Sequence, residues 1–242
     1  MTQPDWFAAL DGTWPAAEYT QLGPLTLRRG QGGGSRVSAT TAAPGWAEAD
    51  LERAEAAMRD MGQPCIFQVR PGQDDLDAAL ADRGYEVMDP VTIYACPVDD
   101  LCDIPIPRVT VLHIWEPLAL MREIWAEAGI GPARIAVMDR VRGPRTGMLG
   151  RWNEKPAGVG FAACHGEVAM VHALEVLAHQ RRNGMGGWFM RAAAFWARKS
   201  GARWMSVMCT DANGPANALY RKLGMQAVGH YHYRIMPKEE PK

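Results

Sequence analysis

The stretch that most constrains the fold of this chain runs from Val171 to Ala193. It starts inside an apolar run of strand length, Ala169 to Leu177, and continues into a cationic turn with three glycines at positions 184, 186 and 187. From Trp188 onward apolar residues recur at helical spacing, and Gly201 marks a helix end. The pattern predicts a strand, a glycine-rich turn and a helix. The first N–H groups of such a helix have no internal partner and point, with the positive end of the helix dipole, at the turn. We therefore expect an anion there, most often a phosphate.

The residues around the glycines separate three kinds of phosphate loop. A nucleoside-triphosphate loop would need lysine and then serine or threonine after the glycines, and neither is present. A dinucleotide loop would need a third glycine where Phe189 stands and an acidic residue about 20 residues later. The remaining pattern, Gln180-Arg181-Arg182-Asn183-Gly184-Met185-Gly186 after Leu174-Glu175-Val176, resembles the pyrophosphate loop of the GNAT superfamily of acyl-CoA-dependent N-acyltransferases. For the loop alone, an ordinary glycine-rich turn remains the alternative.

A second motif strengthens the resemblance. Asn213, with Pro215 two residues on, is a sound helix start, and Gly224 is a sound helix end. The segment resembles the second GNAT signature, Asn-x-x-Ala-x-x-Leu-Tyr-x-x-x-Gly-Phe, and Met225 replaces the aromatic residue. The matching residues are Asn213, Ala216, Leu219, Tyr220 and Gly224. Two motifs in the family order extend the resemblance over roughly residues 109–236.

The first part of the chain resembles a degenerate copy of the second at a shift of 140 residues. Ile66–Val69 falls on the predicted strand at Ser206–Cys209, and the helix that ends at Gly84 falls on the one that ends at Gly224. The resemblance thus implies an α/β (α+β) class: a tandem GNAT fold with a mixed, mostly antiparallel central sheet flanked by helices. We expect a degenerate GNAT-like domain at 1–97, a linker at 98–108 and a complete domain at 109–242.

The degenerate copy lacks the residues that the second copy would use to bind the cofactor and to transfer a proton. Pro44 stands where Gly184 stands in the second copy, and no cation occupies either arginine position. Proline removes one of the N–H donors that such a loop supplies. Leu80 takes the place of Tyr220. The first copy is therefore expected to complete the sheet and wall the acceptor pocket.

Composition excludes several classes of protein. With 48% apolar residues, 22% charged residues and a formal net charge of −1, the chain has no basic field that would favour nucleic acid, and the cations Arg181, Arg182 and Arg191 suit one small polyphosphate better. The first residues lack the features of a secretory signal, and no apolar stretch reaches membrane-spanning length. The five cysteines are scattered, so we expect reduced thiols in a cytoplasmic protein and no metal site.

The GNAT resemblance implies acetyl-CoA as co-substrate. The loop N–H groups would hold its pyrophosphate, with side-chain contacts from Gln180, Arg181 and Arg182. The backbone of Leu174 and Val176 would pair with the pantetheine arm, and the Val176 N–H would polarise the thioester oxygen. The implied cofactor-binding residues are Leu174, Val176, Gln180, Arg181, Arg182, Asn183, Gly184, Met185, Gly186, Gly187, Asn213 and Asn217.

Three residues are candidates for proton transfer. By resemblance Tyr220 would protonate the leaving thiolate, since the reference pKa of tyrosine, about 10, lies above that of a thiol, about 8.5. His172 is the first candidate for the general base, because a strand histidine serves as base in the arylalkylamine branch of the superfamily. On an unbroken strand Glu175 would face the other side, so it is the rival only if a bulge turns it. Alternatively, both residues have structural roles.

The sequence therefore predicts an acetyl-CoA-dependent N-acetyltransferase that acts on a primary amine by direct transfer in a ternary complex. The amine would belong to a small molecule or a peptide, and the protein would be a monomer or a homodimer. The alternative function is a non-catalytic acyl-CoA-binding sensor or interaction protein.

Overall fold

A computed structural model of the chain describes residues 3–237. The described residues form helices α1 Trp6–Thr13, α2 Glu48–Asp60, α3 Asp74–Asp82, α4 Ala119–Glu127, α5 Pro132–Asp139, α6 Met185–Lys199 and α7 Gly214–Lys222. The strands are β1 Glu18–Leu22, β2 Leu25–Arg29, β3 Thr41–Ala42, β4 Ile66–Val69, β5 Glu86–Pro97, β6 Val111–Ile114, β7 Arg145–Trp152, β8 Lys155–His165, β9 Val168–Val176, β10 Trp204–Thr210 and β11 Gln226–Ile235. No helix within this range is both long and apolar enough to cross a membrane.

The described chain forms two compact units whose segments alternate along the sequence. The first unit contains the residues up to Pro15, Ile93–Cys209 and Asn213–Val228. The second unit contains Ala16–Thr92, Thr210–Ala212 and the residues from Gly229 onward. Helix α1 thus belongs to the same unit as the predicted active site, although it lies at the other end of the sequence.

The first unit is built on a mixed sheet with strand order β6-β7-β8-β9-β10-β5. Strands β6 to β9 are antiparallel neighbours, and β10 runs parallel to β9. Helices pack on both faces: a side chain at Gly147 would meet Met121 of α4, and one at Gly150 would meet Phe189 of α6. Because these glycines are three positions apart on one strand, they face opposite sides of the sheet. The predicted mixed, mostly antiparallel sheet flanked by helices is confirmed.

Helix α1 packs against β8 and β9 of the same unit. Asp5 caps its start by accepting hydrogen bonds from the N–H groups of Phe7 and Ala8. A Cβ atom at Gly12 would lie 2.1 Å from His165 Nδ1, so glycine permits the close approach of the helix to β8. The helix therefore reaches the sheet at the strands that carry the candidate catalytic residues.

The second unit has its own apolar core, in which α2 and α3 cover short strands. Strands β1, β2 and β3 are antiparallel in that order, and β4 pairs with β11. Buried core side chains come from each of these layers, namely Leu25, Leu27, Leu51, Met58, Phe67, Leu76 and Leu80. Asp77 of α3 accepts two hydrogen bonds from Arg234 of β11, at 2.7 and 3.0 Å, and contacts His232 Nε2 at 2.7 Å. This charged cluster ties α3 to β11.

Candidate active site

The turn before α6 has the backbone geometry of an anion site. Gly184 adopts a left-handed conformation with φ 76°, and the first carbonyl bond of the helix runs from Trp188 N–H to Gly184 O at 3.2 Å. The N–H groups of Met185, Gly186 and Gly187 therefore have no carbonyl one turn earlier to bond. Arg181 to Gly184 are exposed, and a Cβ atom at Gly184 would meet nothing within 4 Å. The turn is open, and its donors and dipole suit a phosphate.

The side chains of this turn differ in what they can offer a ligand. Gln180 is buried, and its backbone carbonyl accepts a hydrogen bond from Nδ2 of the Asn183 side chain at 3.4 Å. Arg181 Nε donates to the Val176 carbonyl at 3.1 Å, so its guanidinium lies along the end of β9. Arg182 is exposed at φ 66°. Arg182 is thus an exposed cation of the turn for which no hydrogen bond or ion pair is assigned among the described residues.

Arg191, the third cation considered for the polyphosphate, is engaged elsewhere. Its Nε and Nη2 atoms donate to both carboxylate oxygens of Asp103, each at 2.8 Å. Arg198 contacts Asp99 of the same segment at 3.3 Å. Such a two-point contact uses the fork of the Arg191 guanidinium, so this side chain fastens the segment after β5 to α6.

Helix α7 is held close to the turn by Gly186 and by its own cap. A Cβ atom at Gly186 would lie 2.7 Å from Leu219 of α7, so glycine lets the two helices approach. The Asn213 side chain accepts a hydrogen bond from Ala216 N–H at 3.2 Å and so caps the helix. The second GNAT signature therefore has a structural basis in helix capping and packing.

The Asn217 side chain is buried, and both its nitrogen and its oxygen form hydrogen bonds. Its Nδ2 donates to the Asn213 carbonyl at 2.8 Å, and its Oδ1 accepts from the Tyr94 hydroxyl at 3.0 Å. Tyr94 also packs against Tyr220, with ring centroids 5.7 Å apart, and Tyr220 is 8% exposed. Asn217 thus braces α7 against β5. No local pattern in the sequence indicates Tyr94, because it lies 123 residues from its partner.

Strand β9 is interrupted by a bulge, which is the condition under which Glu175 becomes a rival to His172 as the base. Val159 of β8 faces Glu175, whereas Phe161, two residues on, faces His172, three residues back along β9. Ala173 in the extra position has φ 49°. Since Val159 and Phe161 point to one face of β8, their partners Glu175 and His172 also share a face. The bulge therefore brings the two candidate bases to the same side of the sheet.

Two contacts hold the bulge in place. The indole Nε1 of Trp125 in α4 donates to the Ala173 carbonyl at 2.8 Å. On the opposite side, a Cβ atom at Gly158 would lie 2.2 Å from the Glu175 carbonyl, so only glycine leaves room for this backbone. A non-glycine residue in the left-handed region costs about 1–3 kcal/mol and persists where its surroundings impose it. The hydrogen bond from Trp125 and the space left by Gly158 are the surroundings that the described structure shows at this bulge.

His172 is enclosed by the N-terminal segment. It is 3% exposed, and its ring stacks on Trp14 with centroids 4.9 Å apart. Its Nε2 lies 2.9 Å from the Thr13 hydroxyl oxygen, which is 2.7 Å from the Ala9 carbonyl. The hydroxyl has one proton, and the short distance to Ala9 requires it there. The Thr13 oxygen must then accept from His172, so we infer that Nε2 carries a hydrogen.

Glu175 is more accessible than His172. Its side chain is half-buried, and burial raises the pKa of its carboxyl, while the positive charge of Arg181 opposes that shift. A raised pKa brings a carboxylate nearer to the range of a useful general base. Of the two candidates on this face, Glu175 is the one that an amine in solution could approach.

The remaining candidate features do not add to this site. An apolar pocket of about 270 Å³ lies between α4 and α5, and its lining contains none of the predicted site residues. No group of three or more His, Cys, Asp or Glu side chains in residues 3–237 is arranged to hold a metal ion. None of the five cysteines, all of which lie within residues 3–237, forms a disulfide.

Comparison with known proteins finds similarity over the segment that contains this site. Residues 116–225 match the family model described as the acetyltransferase (GNAT) family. The chain is 23% identical to the Bacillus subtilis protein YobR, described as an uncharacterized N-acetyltransferase, over 92% of this chain and 94% of that protein.

Solved structures share the fold. A GCN5-related N-acetyltransferase from Kribbella flavida superposes with a TM-score of 0.73 at 20% identity, over 97% of this chain and 95% of that one. A tandem GNAT protein from the clavulanic acid biosynthesis pathway gives a TM-score of 0.61 at 16% identity, over 89% of this chain and 79% of that one. The family model covers the bulged strand, the open turn and α7 together.

Proposed function

We propose that this chain, which is an N-acetyltransferase of the GNAT superfamily, transfers an acetyl group from acetyl-CoA directly to a primary amine within a ternary complex. Family membership implies acetyl-CoA-dependent acetylation. The observation that carries the finer proposal is the open, left-handed turn at Gly184, which presents helix N–H groups immediately after a bulged strand.

The acetyl-CoA site is proposed at the start of α6. The N–H groups of residues 181–187 would hold the diphosphate, and Arg182 is the exposed cation that would pair with it. The backbone of Leu174 and Val176 would hold the pantetheine arm beside the bulge, and Asn213 and Asn217 keep α7 in place next to it. Gln180 supports the turn from beneath, since its side chain is buried.

Proton transfer is assigned to Glu175 and Tyr220. Bound acetyl-CoA supplies the acetyl group and a thiolate leaving group. Glu175 would accept the proton that the amine loses as its nitrogen bonds to the acetyl carbon, since it is the accessible base on the acceptor face. Tyr220 would donate its hydroxyl proton to the departing sulfur. His172, the other base candidate, is enclosed by Thr13 and Trp14, so we place it behind Glu175 as a support for this face.

A tandem origin is part of the proposal, with a degenerate copy at 1–97, a linker at 98–108 and the complete copy at 109–242. Helices α3 and α7 occupy equivalent positions at the 140-residue shift, and the glycines that follow them, Gly84 and Gly224, have φ 85° and 80°. Two bonded pairs are related by the same shift: Tyr94 bonds Asn217, and Arg234 bonds Asp77. The tandem GNAT relative supports the same interpretation.

The first copy is proposed not to bind acetyl-CoA, because its own side chain occupies the equivalent helix start. Asp50 is buried at the N-terminus of α2 and accepts a hydrogen bond from Ala47 N–H at 2.9 Å. This backbone bond, followed by the contact with Arg53, holds the pKa of Asp50 below its usual value. A carboxylate in that position would repel a phosphate. We also propose a reducing, cytoplasmic location, because the sequence spacing of the five cysteines is not that of a disulfide framework.

The proposal is tested by calorimetry with acetyl-CoA followed by thiol release across a panel of primary amines, secondary amines and alcohols. We expect binding of acetyl-CoA and turnover with at least one primary amine. Binding without turnover for any acceptor would contradict the proposal and favour a non-catalytic acyl-CoA sensor.

A further inference from the structure

We propose that Trp125 is a positioning residue for acetyl transfer: its indole N–H, bonded to the Ala173 carbonyl, holds the β9 bulge that turns Glu175 to the acceptor face. The inference rests on the proposed function, because it assigns a role to the bulge in that reaction. Trp125 would not touch either substrate. It would act through the backbone of β9.

The bulge in β9 needs a constraint from outside the strand. Ala173 has φ 49°, a conformation that alanine adopts reluctantly because its Cβ approaches the backbone. Its methyl side chain offers no hydrogen bond that could stabilise the conformation locally. The sequence of β9 alone therefore favours a regular strand, in which Glu175 would point away from the face that holds His172.

Trp125 supplies this constraint from a rigid position. The ring is fully buried, and its Nε1 lies 2.8 Å from the Ala173 oxygen. Met121 and Ile124, on the same side of α4, are also buried, so the helix is anchored against the sheet around the indole. If the bulge relaxed, the buried indole N–H would have no acceptor, and its desolvation would no longer be offset by a hydrogen bond. The hydrogen bond and the bulge therefore stabilise each other.

The bulge determines which face of the sheet carries the Glu175 side chain. Glu175 is two residues beyond Ala173, and Leu174 and Val176 flank it. If the bulge relaxed, the register with β8 would shift by one residue, and every side chain beyond it would exchange faces. The carboxylate would then leave the acceptor face, while the diphosphate turn at Gly184 would keep its own backbone geometry.

The test replaces the N–H of Trp125 and leaves its ring shape intact. Benzothienylalanine, in which sulfur replaces the indole N–H, is incorporated at position 125 of the full chain. The matched control carries the same replacement at Trp6, which is buried in the same unit and whose indole nitrogen has no hydrogen-bond partner among the described residues. Trp125→Phe serves as a second variant that also removes the donor.

Two readouts are taken. We expect kcat to fall about tenfold in the position-125 variant with little change in KM for acetyl-CoA, since a lost hydrogen bond of typical strength corresponds to about this factor. We also expect the ¹³C chemical shifts of Ala173 to move away from left-handed values. The position-6 variant should match the unmodified protein in both.

Each outcome decides the matter. Unchanged kcat with unchanged Ala173 shifts in the position-125 variant, or equal losses at positions 6 and 125, would overturn the role of Trp125. A protein that acetylates no amine would overturn the proposed function, and the Ala173 shifts would still show whether the indole N–H holds the bulge. Altered shifts with full kcat would overturn the catalytic part of the inference.

Discussion

At the scale of single residues, the site depends on side chains that control the backbone or a proton. Trp125 donates a hydrogen bond to the carbonyl of the left-handed Ala173, Gly158 leaves room for the backbone at Glu175, and the bulge turns Glu175 to the same face as His172. Tyr220 is buried beside Tyr94, which also bonds Asn217. These contacts predict separable effects for substitutions at the base, the acid and the buried histidine.

Replacement of the proposed base should remove a pH dependence. Glu175 must be ionised to accept a proton, and burial raises its pKa, so kcat should rise with pH through a value above the reference of about 4.3. Glu175→Gln should lower kcat at least about 100-fold and abolish this rise. Glu167→Gln, at a partly exposed glutamate of the same unit, is the control. A Glu175→Gln enzyme with the original profile would return the base role to His172 or to another group.

Replacement of the proposed acid should act on turnover. Tyr220→Phe should lower kcat about 10- to 100-fold, most strongly above neutral pH, and leave the Kd of acetyl-CoA within about threefold. Tyr85→Phe removes a buried hydroxyl from the second unit, where it donates to Glu55 at 3.1 Å, and should keep kcat. Equal kcat values for Tyr220→Phe and the unmodified enzyme would rule out the acid role.

The protonation state of His172 can be read directly. Because Thr13 gives its proton to Ala9, ¹⁵N spectra of the histidine side chains should show a hydrogen on Nε2 of His172. Thr13→Val should remove this preference, and Thr13→Ser should restore it. A neutral His172 protonated on Nδ1 in the unmodified protein would contradict the inferred bonding. Comparison with His172→Gln assigns the signal.

At the scale of elements, much of the structure could be predicted from local sequence. The apolar spacing of the sequence predicts a helix over Ala47–Met61, which is observed at Glu48–Asp60, and the strand predicted at Ile66–Val69 has those bounds. Helix α2 has strong periodicity and is followed by Gly62, and α3 is followed by Gly84 in the same way. The glycine-rich turn and α7 follow in the same way, since their signals lie within a few residues of the structure that they specify.

The features that could not be predicted depend on distant partners. The β9 bulge requires an indole from α4 and a glycine from β8, 48 residues and 17 residues from its own positions. Asn217 is braced by Tyr94, 123 residues away, and His172 contacts Thr13 of α1, 159 residues away. A periodic pattern reports which face of an element is buried and says nothing about which element covers it.

The contact between α3 and β11 predicts a loss of stability in acid. Hydrogen bonding from Arg234, followed by His232, lowers the pKa of Asp77 to about 2. The folded pKa lies below the unfolded one, so this carboxylate stabilises the fold above about pH 4, and the contribution disappears as the pH falls towards 2. Since the carboxylate is partly exposed, we expect about 1–2 kcal/mol from the cluster. Asp77→Asn should reduce the free energy of unfolding at pH 7 by this amount and have little effect at pH 2, as measured by urea denaturation.

At the scale of the whole molecule, neither sequence half contains a complete core. The core of the first unit includes Tyr94, Cys96, Val98 and Leu101, which precede the predicted catalytic domain. Helix α1 adds the buried side chains of Trp6 and Leu10 to the same unit. The two copies proposed from sequence therefore share strands and helices in the folded protein.

A fragment that starts at Pro105 should not fold. Each buried apolar side chain contributes about 1.5–3 kcal/mol, and six of them from α1, β5 and the turn after β5 would be missing. Their combined contribution is comparable to the total stability of a typical domain, about 5–15 kcal/mol. Circular dichroism of the fragment should show no cooperative thermal transition. A fragment that unfolds cooperatively and binds acetyl-CoA like the full chain would contradict this expectation.

The proposed function requires that the N–H groups at the start of α6 hold the diphosphate of acetyl-CoA. Hydrogen exchange of the intact protein, measured by mass spectrometry with and without saturating acetyl-CoA, tests it most directly. We predict that acetyl-CoA slows exchange in the peptide covering residues 181–188 more than in any other exposed segment of the chain. Saturating binding with unchanged exchange in that peptide would contradict the claim.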